Sequence, residues 1–345
     1  MLEYINIFKN YNFSACYYSY CHNLLFSSRS LYCMEMVHVR IEDLLGPEIA
    51  ELHNAAAPIR DDDPYSRRIG NIDSTIRLGI TACVHGNEPV GKAIIDWLLK
   101  HQEQFAIEVR YSIGNPFATL KQIRDTGTNM NRVFPGKLDG CYEERQAHRV
   151  MQAMAGVTHY IDFHSTTRAS PPFATFVDGH DAERLIQATG LEHVLVYPAV
   201  ESGMGYKGMV AMQAIADAYG ASAISVECGG HTVPATFEMG VAIIKNVLRY
   251  YNAFDGEPAR ITPQYYYVDA KVLSETESDM RINPALQECQ LVKKGTILAY
   301  GTASNIVADC DFYPLLIDYY LFQRENGSLM IQTQRREPII EDINN

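Results

Sequence analysis

His85 and Glu88 stand three residues apart in the stretch Cys83-Val84-His85-Gly86-Asn87-Glu88, directly after an apolar run. On a turn, an imidazole nitrogen and a carboxylate oxygen at this spacing can face one point, and nitrogen with oxygen donors is a set that zinc accepts. A catalytic zinc site uses three protein groups and keeps a position for water or substrate, so the pair alone is incomplete and weak as a signal. His164, which ends the run Tyr160-Ile161-Asp162-Phe163-His164, is the candidate third ligand. Strand alternation puts Asp162 on the same side, where it could orient a metal-bound imidazole. The plainer reading of His164 is a strand-end histidine bonded to backbone. Glu227 ends the apolar run Ile224-Ser225-Val226 and precedes Cys228-Gly229-Gly230. Because an unpaired buried acid is costly, Glu227 is either salt-bridged or a general base beside a metal-activated water.

Arg124 and the run Asn129-Met130-Asn131-Arg132 bring two arginines and amides into an apparent loop. Guanidinium forks match carboxylates in a bidentate manner, so an anionic substrate could be clamped here; solvated surface arginines are the bland alternative. The rest of the composition narrows the function. A formal charge of −12 and the lack of a dense Lys/Arg cluster argue against nucleic-acid binding. Eight cysteines without a CxxC pair in 345 residues indicate neither a disulfide scaffold nor a cysteine-based zinc module, and fit reduced thiols in the cytoplasm. No apolar run is long enough to span a bilayer, and no secretory leader is recognisable, so a soluble cytoplasmic protein is expected.

The elements that must position these residues alternate. An apolar strand over 76–84 stops at His-Gly-Asn-Glu-Pro, and Pro89 opens a helix with Ala93, Ile94, Trp97 and Leu98 at helical spacing. Strands over 109–113, 158–163, 173–177, 194–197 and 221–226 follow. Helices are expected over about 143–155, from 182, over 208–219 and over 236–251. Apolar strands alternating with helices predict an α/β fold with a largely parallel sheet covered on both faces, where ligands gather beyond the strand ends. After Phe254-Asp255-Gly256-Glu257-Pro258, β-prone runs over 265–273, 291–300, 312–321 and 329–332 predict a smaller all-β domain. The expected division is an irregular extension over 1–40, a catalytic domain over 41–255 and a β domain over 256–345. The first 33 residues, rich in Tyr, Asn, Ser and Phe and without period, suggest translation starting at Met34 or Met36, or else a genuine irregular extension.

Together the segments resemble the succinylglutamate desuccinylase and aspartoacylase family, a branch of the zinc carboxypeptidase-like fold. The pattern is carried by His85-Gly86-Asn87-Glu88, Gly114-Asn115-Pro116, Arg124, Asn129-Met130-Asn131-Arg132, Asp162-Phe163-His164 and Glu227-Cys228-Gly229, in the family's order and spacing. The likeness runs from about Ile76 to Tyr320 and includes Lys294-Gly295-Thr296-Ile297-Leu298 and Asp309-Cys310-Asp311-Phe312-Tyr313-Pro314. It implies a three-layer zinc-carboxypeptidase-like domain with a mostly parallel mixed sheet. It further implies one zinc per chain held by His85, Glu88 and His164, Glu227 as general base, Arg124 stabilising the oxyanion, and Asn131 with Arg132 gripping a substrate carboxylate.

The implied activity is hydrolysis of a small anionic N-acyl amino acid. The aspartoacylase branch carries a substrate arginine before the strand of the base, and Met212 to Tyr219 holds none. The desuccinylase branch carries an arginine four residues after the second ligand histidine, which Arg168 matches, so an N-succinylglutamate-like substrate is favoured over N-acetylaspartate. Cys228-Gly229-Gly230 and the stretch from Glu201 to Gly208 depart from that branch, and the family's C-terminal tyrosine aligns with Tyr319, Tyr320 or Phe322. Two other readings compete: a carboxypeptidase acting on peptides, and a non-catalytic metal-binding sensor. Neither a nucleic acid nor a membrane is expected as partner, and association into a homo-oligomer is compatible with the sequence.

Overall fold

Short apolar runs with β-branched residues form the buried centre of the sheet, and most of them hand the chain to a helix at the C-terminal end, the strand His159–Thr166 being followed instead by another strand. The computed structural model describes residues 65–199, 209–273, 280–302, 304–317 and 328–336; the extension expected over 1–40 lies outside them. In chain order come β1 (Ser66–Gly70), β2 (Arg77–Ala82), α1 (Val90–Lys100), β3 (Glu108–Ile113), α2 (Pro116–Lys121), α3 (Tyr142–Ala153), β4 (His159–Thr166) and β5 (Phe173–Val177). Next are α4 (Glu183–Thr189), β6 (His193–Tyr197), α5 (Ala211–Tyr219), β7 (Ser222–Gly230) and α6 (Pro234–Tyr250).

Beyond residue 256 the chain is all β: β8 (Gln264–Leu273), β9 (Arg281–Ile282), β10 (Ile297–Tyr300), β11 (Ile306–Val307), β12 (Tyr313–Leu315) and β13 (Ser328–Arg336). Ten strands share one sheet in the order β1-β3-β2-β4-β7-β5-β6-β8-β13-β12, and β11-β10-β9 form a second, antiparallel sheet. Strands β3, β2, β4 and β7 run parallel, whereas β5 is antiparallel to β7. The sheet is thus mixed, as expected for the α/β class, and β8 continues it parallel to β6.

Helices cover both faces, which is why the central strands are apolar on both sides. Helices α1, α4 and α6 pack together on one face. On the other, α3 and α5 close a core of Met130, Phe134, Val150, Met154, Tyr160, Ile215 and Ala223. Phe312, Leu298, Leu329 and Met330 centre a second core in the C-terminal region.

The sequence reading does not anticipate strands β9 and β11, β12 is shorter than the run over 312–321, and three further differences have a local cause. Strand β1 pairs with β3 at the sheet edge, where three of its five residues are exposed and the apolar signal is weak. Helix α2 follows the Gly-Asn-Pro stop at once, because the Asn115 side chain caps it by accepting from the Ala118 amide at 3.1 Å and Pro116 occupies its first turn. The strand expected over 291–300 begins only at Ile297, since Gly295 adopts φ +87 in the preceding turn. Among the described residues no helix is long and apolar enough to cross a membrane.

Candidate metal centre

Strand β2 ends at Ala82, and Cys83 then takes φ 56, a left-handed conformation that costs a non-glycine residue on the order of 1–2 kcal/mol. This residue ends the strand and starts the turn that carries His85 and Glu88. Gly86 packs onto α2: its amide donates to the Arg124 carbonyl at 3.0 Å, and a Cβ there would lie 2.0 Å from the Ala118 carbonyl carbon. Only glycine fits such an approach. The Glu88 amide closes the turn on the His85 carbonyl at 3.2 Å. Both functional side chains are thereby fixed before α1 begins.

Parallel pairing brings the third member alongside. Thr81 and Ala82 of β2 lie opposite Asp162 and Phe163 of β4, so His164 emerges one residue beyond, next to the turn. His85, Glu88 and His164 are all buried, and one candidate ligand atom from each lies within 4.8 Å of the others. His85 Nδ1 is 2.8 Å from Glu88 Oε1, and His164 Nδ1 is 2.9 Å from Glu88 Oε2. Each outer nitrogen has its own orienting partner: His85 Nε2 faces Asn129 Oδ1 at 3.1 Å, and His164 Nε2 faces Asp162 Oδ2 at 2.7 Å.

The electrostatics treat the two rings differently. Burial, helped by the Arg124 charge, pushes His85 down to about 3, so this ring is neutral. If its proton serves Asn129 from Nε2, a lone pair on Nδ1 meets a carboxylate oxygen at 2.8 Å, which is repulsive unless a cation lies between them. Burial also opposes charge on His164, but Asp162 and Glu88 overcome it and hold this imidazole well above its ordinary value. Both its nitrogens face carboxylates; to serve as a metal ligand Nδ1 must give up its proton, while Nε2 keeps its hydrogen bond to Asp162. For Glu88, burial would raise the carboxyl, yet the charge and hydrogen bond of His164 hold it well below the usual range. Two inward imidazole nitrogens and one carboxylate, backed by a carboxylate and an amide, can hold a divalent metal ion.

Glu227 sits on β7 directly opposite His164 in the parallel ladder. It is buried, Oε2 has no partner among the described residues, and burial together with the Glu88 charge pushes it up to about 8 against the pull of His164 and Arg124. Such a group is suited to exchanging a proton near neutral pH. Arg124 places Nη1 3.4 Å from Glu88 Oε1, beside the cluster. Asn131 also reaches the site: Nδ2 lies 3.4 Å from His164 Nε2, while Oδ1 accepts from the Ala211 amide at 2.9 Å and ties the loop to the start of α5. Arg132 donates from Nη1 to the Asn131 carbonyl at 2.7 Å. Arg168 lies past the end of β4, half-buried; among the described residues no hydrogen bond or ion pair joins its side chain to the cluster, and its charge bears on Glu288.

Four residues given no role from sequence belong to this neighbourhood. Asn129 holds His85 and also accepts from the Asn131 amide at 3.0 Å. Ser165 donates its amide to Glu88 Oε2 at 3.2 Å, and its hydroxyl is 2.8 Å from His231 Nδ1. Glu288, from the C-terminal region, accepts from the Ile317 amide at 3.1 Å, has no partner for Oε2 among the described residues, and is pushed up by burial to about 7. His231 carried a readable signal, since it follows Cys228-Gly229-Gly230 at the end of the strand bearing Glu227; Glu288 had none, because only the tertiary fold brings it near.

Residues 74–251 match the model of the succinylglutamate desuccinylase/aspartoacylase catalytic domain. The chain is 33% identical over 107 residues to aspartoacylase of Xenopus tropicalis, a stretch covering 26% of this chain and 34% of that relative, so it spans about a third of the curated relative's length. Among solved structures, a succinylglutamate desuccinylase/aspartoacylase from Rhodobacter sphaeroides superposes with a TM-score of 0.64 at 16% identity, over 82% of this chain and 99% of the other. The product-bound ectoine utilization protein EutE (DoeB) from Ruegeria pomeroyi gives 0.64 at 17% identity, over 79% and 88%. Murine aminoacylase 3 gives 0.60 at 15% identity, over 77% and 97%.

Proposed function

The chain belongs to the succinylglutamate desuccinylase/aspartoacylase family, and from that premise we propose that it is a zinc-dependent amidohydrolase releasing the acyl group of a small N-acyl amino acid. The observation that carries this reading is the convergence of His85, Glu88 and His164 beside a buried carboxyl, Glu227, whose Oε2 has no hydrogen-bond partner among the described residues. When bound, zinc supplies Lewis acidity that makes a water acidic near neutral pH and draws electron density from an amide carbonyl. Glu227 takes the proton of the attacking water on Oε2 and hands it to the leaving amine. Arg124 adds positive charge where the tetrahedral oxyanion forms, which is commonly a large share of the rate enhancement. Asn129 and Asp162 keep the imidazoles in the orientation that the ligand set needs.

For the substrate, we assign Asn131 with Arg132 to the carboxylate of the amino acid and Arg168 to the acyl end. The absence of arginine from α5, Ala211–Tyr219, supports an N-succinylglutamate-like compound over N-acetylaspartate. Thiols at Cys83, Cys141, Cys228, Cys289 and Cys310, all unpaired, fit a reducing cytoplasmic setting. The test is hydrolysis of N-succinyl, N-acetyl and N-formyl amino acids by the zinc-restored protein, with short peptides alongside. N-succinyl amino acids should be cleaved fastest and chelation should stop turnover. Faster cleavage of peptides, or turnover indifferent to chelation, would remove the proposal.

A further inference from the structure

Strands β4 and β7 pair up to their ends, where a register shift follows the His164–Glu227 pair and Thr166 meets Gly230. His231 comes next and is tied to the same edge by its own amide, which donates to the Thr166 carbonyl at 2.8 Å. Its ring is gripped from one side only: Nδ1 lies 2.8 Å from Ser165 Oγ, and Ser165 in turn gives its amide to Glu88. Nε2 is enclosed and has no partner among the described residues. The charges within reach of the ring are those of Glu88, Arg124 and His164, so it lies at the metal centre and not in a separate structural network.

A buried ring nitrogen left unpaired costs about 1–3 kcal/mol, a deficit that a bound ligand can remove. The Ser165 hydroxyl can donate to Nδ1, which leaves the ring proton on Nε2. An N-acyl amino acid presents acyl and carboxylate oxygens to such a donor, and burial keeps the imidazole uncharged so that it adds no repulsion beside Arg124. We propose that His231 is a further substrate-contacting residue, donating from Nε2 to an oxygen of the bound N-acyl amino acid while Ser165 fixes the ring through Nδ1. This rests on the hydrolase reading above and adds to it a residue from the end of β7.

The test uses the full zinc-loaded chain and the fastest compound of the N-acyl panel, with zinc content measured for every variant. His231→Ala should lower kcat/KM by about tenfold or more at unchanged zinc content, as expected for loss of one hydrogen bond of this kind. His231→Gln places an amide nitrogen near the former Nε2, whereas His231→Asn mimics Nδ1 and its bond to Ser165. Glutamine recovering activity to within about threefold of wild type, and asparagine failing to do so, would support the assignment. It is overturned if alanine stays within about twofold of wild type, or if asparagine recovers at least as well as glutamine, which would make the ring an anchor for Ser165 only. Should the wild type cleave none of the panel, the hydrolase reading itself fails and this assignment falls with it.

Discussion

Glu88, on the turn after β2, and Glu227, at the end of β7, are enclosed carboxylates of one site with opposite surroundings. Around Glu88 the chain assembles two imidazoles, the Arg124 guanidinium and the Ser165 amide. At Glu227 no partner among the described residues reaches Oε2, and burial with the charges of Glu88 and Glu288 outweighs the pull of His164 and Arg124. The first acid is held ionised and immobile, which suits a metal ligand. The second is driven toward its neutral form, which suits a group that must gain and lose a proton. Burial alone therefore assigns neither role; the partners do.

The comparison can be attacked from either end. Glu88→Ala should be the most damaging change, because it strands two imidazoles and a guanidinium; loss of about 3–5 kcal/mol is expected in denaturant unfolding, and zinc should no longer raise Tm. A Glu88→Ala protein that still binds zinc would erase the distinction. Glu227→Gln should do the reverse, lowering turnover by roughly 10³- to 10⁴-fold while metal analysis still finds zinc.

Glu288 sharpens the Glu227 side through pH. Its folded carboxyl, at about 7, is raised above the ordinary 4.5, so the folded state keeps a proton that the unfolded state has released. Its contribution is full below 4.5 and is lost as pH rises through 7, on the order of 3 kcal/mol for a shift of this size. Wild type minus Glu288→Gln stability, followed by urea unfolding from pH 4.5 to 8, should fall by that amount; a flat difference would contradict it. The smallest effect is expected for Asp162→Asn, which keeps the shape but weakens the support of His164. Zinc affinity, measured against a chelator, should drop about 10- to 100-fold.

What could be read from sequence follows the range of the interaction. His85 and Glu88 share one turn, and Asp162 and His164 share one strand face, so spacing alone proposes them. The ligand carboxylate and the proton carrier could not be told apart as physical environments until β2, β4 and β7 lay side by side, since their pairing decides which charges each acid meets. Asn131 offered an amide to a substrate in the sequence; in the fold one end of that amide is committed to α5. The orientation of β5 was hidden as well, because an apolar run carries no sign of strand direction. Glu288 is the extreme case, an ordinary loop acid in the chain that is held by the Ile317 amide, feels the charge of Arg168 and itself bears on Glu227.

Gly86 has a consequence for anyone seeking to re-engineer this protein. With the Ala118 carbonyl carbon 2.0 Å from where a side chain would begin, the ligand turn and the cap of α2 behave as one machined part. A library that randomises residues 83–88 alone will return mostly dead clones whatever the substrate sought. Variants with a reshaped turn should surface only when residues 115–124 are diversified in the same pool.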